Sequence, residues 1–113
     1  MKKMIPDCFW PEADNGSYVS HEAVCVLNPY EDRLELRITL YFEDREKLDG
    51  ISITIPPERT AHIRLDKLAL EQGIPIPRGV PYAMVLECEK DIPVQYTRVD
   101  TTQPELAIAT TVV

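Results

Sequence analysis

The segment Ser20-His21-Glu22-Ala23-Val24-Cys25-Val26-Leu27-Asn28 places a hydroxyl, an imidazole, a carboxylate and a thiol within six positions. Those groups serve nucleophilic and acid–base catalysis or, with His62, metal binding. The spacing favours neither. No H-x-H, H-E-x-x-H or C-x-x-C pattern occurs, and Cys8, Cys25 and Cys88 lie far apart. On a strand, alternate residues share a face, so Ser20, Glu22, Val24 and Val26 point one way and His21, Ala23, Cys25 and Leu27 the other. Imidazole and carboxylate then diverge. The expectation is that His21 and Cys25 lie on a packed face while Ser20 and Glu22 cap or pair with a neighbouring strand. A small hydrolase or metal-dependent enzyme built on His21, His62 and Glu22 is the competing reading. A non-enzymatic protein without catalytic residues, metal or cofactor is the expectation.

Two further polar groups carry recognition chemistry. Arg59-Thr60-Ala61-His62-Ile63-Arg64 sets Arg and His on an alternating segment, and Gln95-Tyr96-Thr97-Arg98-Val99-Asp100 puts Tyr96, Arg98 and Asp100 on one face. Arg98 and Asp100 are expected to pair along a surface. Donors with planar faces on strands suit a carboxylate, a sugar or a partner protein. Trp10, beside Phe9 and Pro11, is expected to plug one end of the core, with a sugar platform or interface as the alternative role.

The elements that must position these groups are strands. Leu34, Leu36, Ile38, Leu40 and Phe42 alternate with polar residues, as do Ile51, Ile53 and Ile55, and the stretch between them ends in the turn-forming pair Asp49-Gly50. This predicts a hairpin. Residues 19–27, 60–65, 82–89, 93–99 and 106–113 read as further strands, with 82–89 and 93–99 predicted to form a second hairpin about Lys90-Asp91-Ile92. Asp66 to Gly73 alone looks helical, with Asp66 as N-cap and Gly73 past its end. The proline-rich 74–81 predicts an extended connection. Short strands separated by turns, with at most one short helix, predict an all-β fold: an antiparallel, jelly-roll-like β-sandwich.

A chain of 113 residues is the size of one domain, spanning 1–113. Its formal charge of −7 repels phosphate backbones, so no nucleic-acid partner is expected. Pro6 and Asp7 interrupt the opening before an apolar run of signal-peptide length forms, and no later segment approaches a membrane span, so a soluble cytoplasmic protein is expected.

The order of Trp10, SHEAVCVLN, the strand ending ITLYFED, Pro56-Pro57-Glu58-Arg59-Thr60-Ala61-His62-Ile63-Arg64 and Ile92-Pro93-Val94-Gln95-Tyr96-Thr97-Arg98-Val99-Asp100 resembles the sensory rhodopsin transducer family over nearly the whole chain. The resemblance implies a small β-sandwich protein that assembles as a homotetramer and relays a signal from a seven-helix membrane photoreceptor through protein contacts. It implies no cofactor and no catalysis. Under it, Ser20, His21, Glu22, Arg59, His62, Arg64, Gln95, Arg98 and Asp100 form the polar patch or pocket where a ligand or partner docks. The alternative is a carbohydrate- or other small-molecule-binding protein with no link to a rhodopsin.

Overall fold

The computed structural model describes all of residues 1–113. Eight strands and one helix follow in the order β1 (Lys2–Cys8), β2 (His21–Asn28), β3 (Leu34–Phe42), β4 (Leu48–Ile55), β5 (Arg59–Arg64), α1 (Leu65–Gln72), β6 (Tyr82–Glu87), β7 (Val94–Asp100) and β8 (Ala107–Val112). They form two four-stranded antiparallel sheets, β1-β6-β3-β4 and β5-β2-β7-β8. The fold is an all-β sandwich.

Hydrophobic alternation drives the packing. On β3 the side chains of Leu34, Leu36, Ile38 and Leu40 are buried, and they meet Ile55 and Ile51 of β4 and Met84 and Leu86 of β6 in one core. From the second sheet come Val24, Val26, Ile63, Val94 and Tyr96. Trp10 closes one end, 4 % exposed, its indole N–H donating to Ser20 O at 3.2 Å and Arg78 stacked over its ring at 4.8 Å. It is therefore a structural plug and not an open platform.

Several local expectations are corrected. The β3–β4 hairpin forms, but its turn is Glu43–Lys47; Asp49 and Gly50 lie within β4, beside a register shift between Ile38 and Leu40. Gly50, at φ 80°, takes the backbone angle that irregularity needs. The second hairpin does not exist. β6 pairs with β1 and β3, β7 with β2 and β8, so Cys88–Pro93 carries the chain from one sheet to the other. Residues 2–8 form a strand despite Pro6, which is tolerated because β1 is an edge strand with a register shift between Ile5 and Cys8. In α1 the N-cap position is Arg64, with no side-chain cap; Asp66 sits in the first turn and takes the Arg64 guanidinium instead. Gly73 ends the helix in the left-handed conformation, its N–H donating to Leu68 O.

Candidate functional site

Glu22 is the centre of the polar chemistry, and it faces inward. The expected orientation of β2 is reversed: Ser20 and Glu22, each 1 % exposed, belong to the core face, whereas His21 and Cys25 stand on the outer face. The reason lies in donors that converge from distant segments. Tyr82 of β6 donates to Glu22 Oε1 at 2.5 Å, and Tyr96 of β7 and the Phe9 N–H, at 2.8 Å, donate to Oε2. A buried carboxylate is tolerable only with such partners.

Burial pushes the Glu22 carboxyl above its ordinary value, against the three hydrogen bonds and the Arg98 charge, which favour the ionised form. Burial and the nearby carboxyl likewise raise both tyrosine hydroxyls, keeping them protonated as donors. Beside them the Cys8 thiol is pushed up to about 12, first by burial and then by Glu22. It is a neutral packing group, not a nucleophile.

Arg98 lies next in this row. In register it sits between Glu22 on β2 and Ala109 on β8, on the inward side of β7. Its Nε is 3.8 Å from Glu22 Oε2, and its Nη2 donates to the Asp7 carbonyl at 3.2 Å and to Asp7 Oδ1 at 3.5 Å. The expected Arg98–Asp100 pair is not made. Asp100 accepts instead from the Thr102 N–H and hydroxyl, at 2.8 and 2.7 Å, which hold its carboxyl below the usual range. Arg98 and Tyr96 line the floor of a cleft of about 550 Å³ between the free edges of β1 and β8. Met4, Ile5, Pro6, Ala109, Val112 and Val113 supply most of its walls.

A second group of the expected residues lies on the outer face of the β5-β2-β7-β8 sheet. His62 and Gln95 flank Cys25 from the two neighbouring strands, directly opposite it in register. Leu27, Thr60 and Val112 border the same shallow depression, about 320 Å³. His21 stands on this face as well, its Nδ1 2.9 Å from Val19 O.

The remaining residues are held by local bonds. Ser20 Oγ donates to Ala13 O at 3.1 Å, lies 3.0 Å from Thr101 Oγ1 and accepts from the Thr101 N–H at 2.9 Å, which clamps the loop before β2 to the end of β7. Arg64 forks onto Asp66 at 2.9 and 2.6 Å. Burial acts to raise the Asp66 carboxyl, but the guanidinium outweighs it and the net shift is downward. Arg59 is exposed and donates to Glu58 O at 2.9 Å. Glu22, His21 and His62 therefore do not converge on one centre, and no three His, Cys, Asp or Glu side chains come close enough together to hold a metal ion.

Asp7, Cys8, Phe9, Tyr82 and Thr111 complete the two groups and went unread in the sequence. One signal was available for Tyr82. It alternates with Met84 and Leu86 on an inward stripe, and a buried tyrosine hydroxyl needs an acceptor from somewhere.

The sequence profile described as Anabaena sensory rhodopsin transducer matches residues 1–113. Among solved structures, "Crystal Structure of Thermotoga maritima 1070" is similar at 32 % identity and a TM-score of 0.86, over 98 % of this chain and 90 % of that one. The Anabaena sensory rhodopsin transducer is similar at 33 % identity and a TM-score of 0.75, over 88 % of this chain and 87 % of that one. No curated protein sequence matches the chain. A profile that matches from the first residue to the last, together with folds this similar at a third of positions identical, establishes that the chain belongs to the Anabaena sensory rhodopsin transducer family.

Proposed function

We propose that this protein is a non-enzymatic signalling module that works in the cytoplasm, self-associates as a tetramer and relays a signal by protein contact, with a seven-helix photoreceptor as the partner its family name suggests. The observation that carries this reading is the outer face of the β5-β2-β7-β8 sheet. Its strands present Ala23, Cys25, Leu27, Thr60, His62, Gln95, Thr97, Ile108, Thr110 and Val112, and the one permanently charged side chain there, Arg64, is neutralised by Asp66. The opposite sheet carries Lys2, Glu35, Arg37 and Glu87 on its outer side. Interface cores are depleted in charge. For a chain of net charge −7, a neutral face is also where two copies meet with least repulsion.

The test is sedimentation equilibrium at micromolar concentration, comparing the natural chain with Leu27→Glu, followed by titration with a sensory rhodopsin in nanodiscs in the dark and under light. Self-association that Leu27→Glu abolishes, and binding that changes with illumination, are expected. A natural chain that stays monomeric, or that binds the rhodopsin identically in both conditions, contradicts the reading.

The cleft above Arg98 favours a second reading, capture of a carbohydrate or other small molecule with no rhodopsin involved. Its volume and mixed lining of apolar walls with few polar groups suit a small ligand.

A further inference from the structure

The cleft between β1 and β8 contains one charge whose hydrogen bonds are incomplete. Of the three guanidinium nitrogens of Arg98, only Nη2 is hydrogen-bonded, and both of its acceptors belong to Asp7. Nε is shielded from solvent and has no acceptor at good geometry, although the Tyr96 hydroxyl lies beside the guanidinium. The nearest carboxylate oxygen, Glu22 Oε2, is 3.8 Å away and already accepts from Tyr96 and the Phe9 N–H. Removing a cationic donor from water without giving it an acceptor costs free energy. The outer, Nη1–Nη2 edge of Arg98 is thus half used, and it too can take two oxygens of one planar acceptor.

Asp7 fills that edge poorly. Its carboxylate is 82 % exposed and reaches only Nη2, at 3.5 Å. Beyond the guanidinium the walls are Met4, Pro6, Ala109 and Val112, with the Thr111 hydroxyl among them, and Arg98 is the only cation in the lining.

We propose that this cleft binds a small organic carboxylate with an aliphatic body, its two oxygens on Nη1 and Nη2 of Arg98 and its chain against Met4, Pro6, Ala109 and Val112. The proposal rests on the reading of the cleft as a ligand site and adds the chemical class of the ligand. The Asp7 carboxylate is then an internal competitor, displaced from Nη2 when the ligand arrives, while the Asp7 carbonyl keeps its bond. Glu22 keeps its own three donors throughout, so the tyrosine network need not open for binding.

The experiment titrates the natural chain, Arg98→Gln, Asp7→Asn and Ala109→Phe at neutral pH with hexanoate, 1-hexanol and glucose, following backbone amide shifts by NMR. Hexanoate is expected to give saturable shifts in β1 and β8 of the natural chain. Loss of a bidentate charged contact weakens binding about ten- to a hundredfold in Arg98→Gln. Asp7→Asn binds more tightly, because the competing carboxylate charge is gone while the backbone carbonyl contact to Nη2 stays. Ala109→Phe fills the cleft without altering Arg98 and loses binding, so the site stays testable if Arg98→Gln does not fold. Hexanoate binding unchanged in Arg98→Gln, or weakened in Asp7→Asn, overturns the proposal. Saturation by hexanol or glucose but not by hexanoate overturns the carboxylate while leaving the cleft a ligand site. No shift with any of the three probes removes the ligand-site reading as well.

Discussion

A carboxylate withdrawn from water is a commitment that the surrounding residues must honour, and Glu22 shows which ones do. Tyr82, Tyr96 and the Phe9 N–H each bring a donor, from three segments remote in sequence. Because burial leaves its proton affinity raised, the folded chain holds this proton more tightly than the unfolded chain. Between the ordinary carboxyl value and the raised one, the folded state binds more protons, so this group's contribution to stability falls as pH rises through that window. Glu22→Gln is expected to flatten that part of the stability–pH curve and, since an amide cannot accept from all three donors, to lower stability by about 1–3 kcal/mol. Urea unfolding at several pH values reads both effects, and an unaltered slope would show that Glu22 does not titrate there. Cysteine chemistry divides along the same line. Cys8 and Cys88 are buried and Cys25 is half-exposed. Alkylation of the folded chain is expected to label Cys25 first, as peptide mass mapping would record.

At the scale of elements, one buried amide holds the sheets' connections in place. Asn28, fully buried at the end of β2, directs its amide at Asp32 O, Ile55 O and Pro56 O, at 2.9, 3.2 and 3.0 Å, and accepts from the Tyr30 N–H at 3.0 Å. It ties the β2–β3 connection to the corner where the chain passes from β4 to β5. Asn28→Ala strands those carbonyls and costs about 2–4 kcal/mol. Asn28→Asp is expected to cost more, because it sets an anion against three acceptors with no donor among them; equal denaturation midpoints for the two variants would contradict this. The edge strand β8 behaves oppositely. Every residue from Ala107 to Val112 is exposed, and only the β7 ladder holds it in the isolated chain. Amide exchange there is expected to be the fastest of any strand. Protection of β8 equal to that of β3 would mean that a neighbour covers it.

The whole molecule separates its charges from its uncharged surface. One sheet presents charged side chains to solvent, the other a neutral face around Cys25, and the proposed self-association rests on this asymmetry. Copies meeting through that face would shield Cys25. Its alkylation rate is therefore expected to rise on dilution from tens of micromolar to below the dissociation constant, whereas a rate independent of concentration places the contact elsewhere. The one helix is not long and apolar enough to cross a membrane.

Alternation along the chain, by itself, determined seven of the eight strands, the sandwich class, and which side chains share a face, because a period of two is a local property of extended backbone; β1, broken by Pro6, escaped it. It grouped Ser20 with Glu22 and His21 with Cys25 correctly. The direction of each face was not local. On β2 the row His21, Ala23, Cys25, Leu27 is as apolar as the row Ser20, Glu22, Val24, Val26, so alternation alone could not say which one turns inward. Tertiary structure decided it by supplying Glu22 with donors from residues 9, 82 and 96, and it took Arg98 from a surface pair with Asp100 into the cleft for the same reason. Strand pairing was lost in the same way. The residues 82–89 and 93–99 read as a hairpin because they are neighbours in sequence, but each buries its apolar stripe against a different sheet, and that choice rests on β1, β2, β3 and β8 being present.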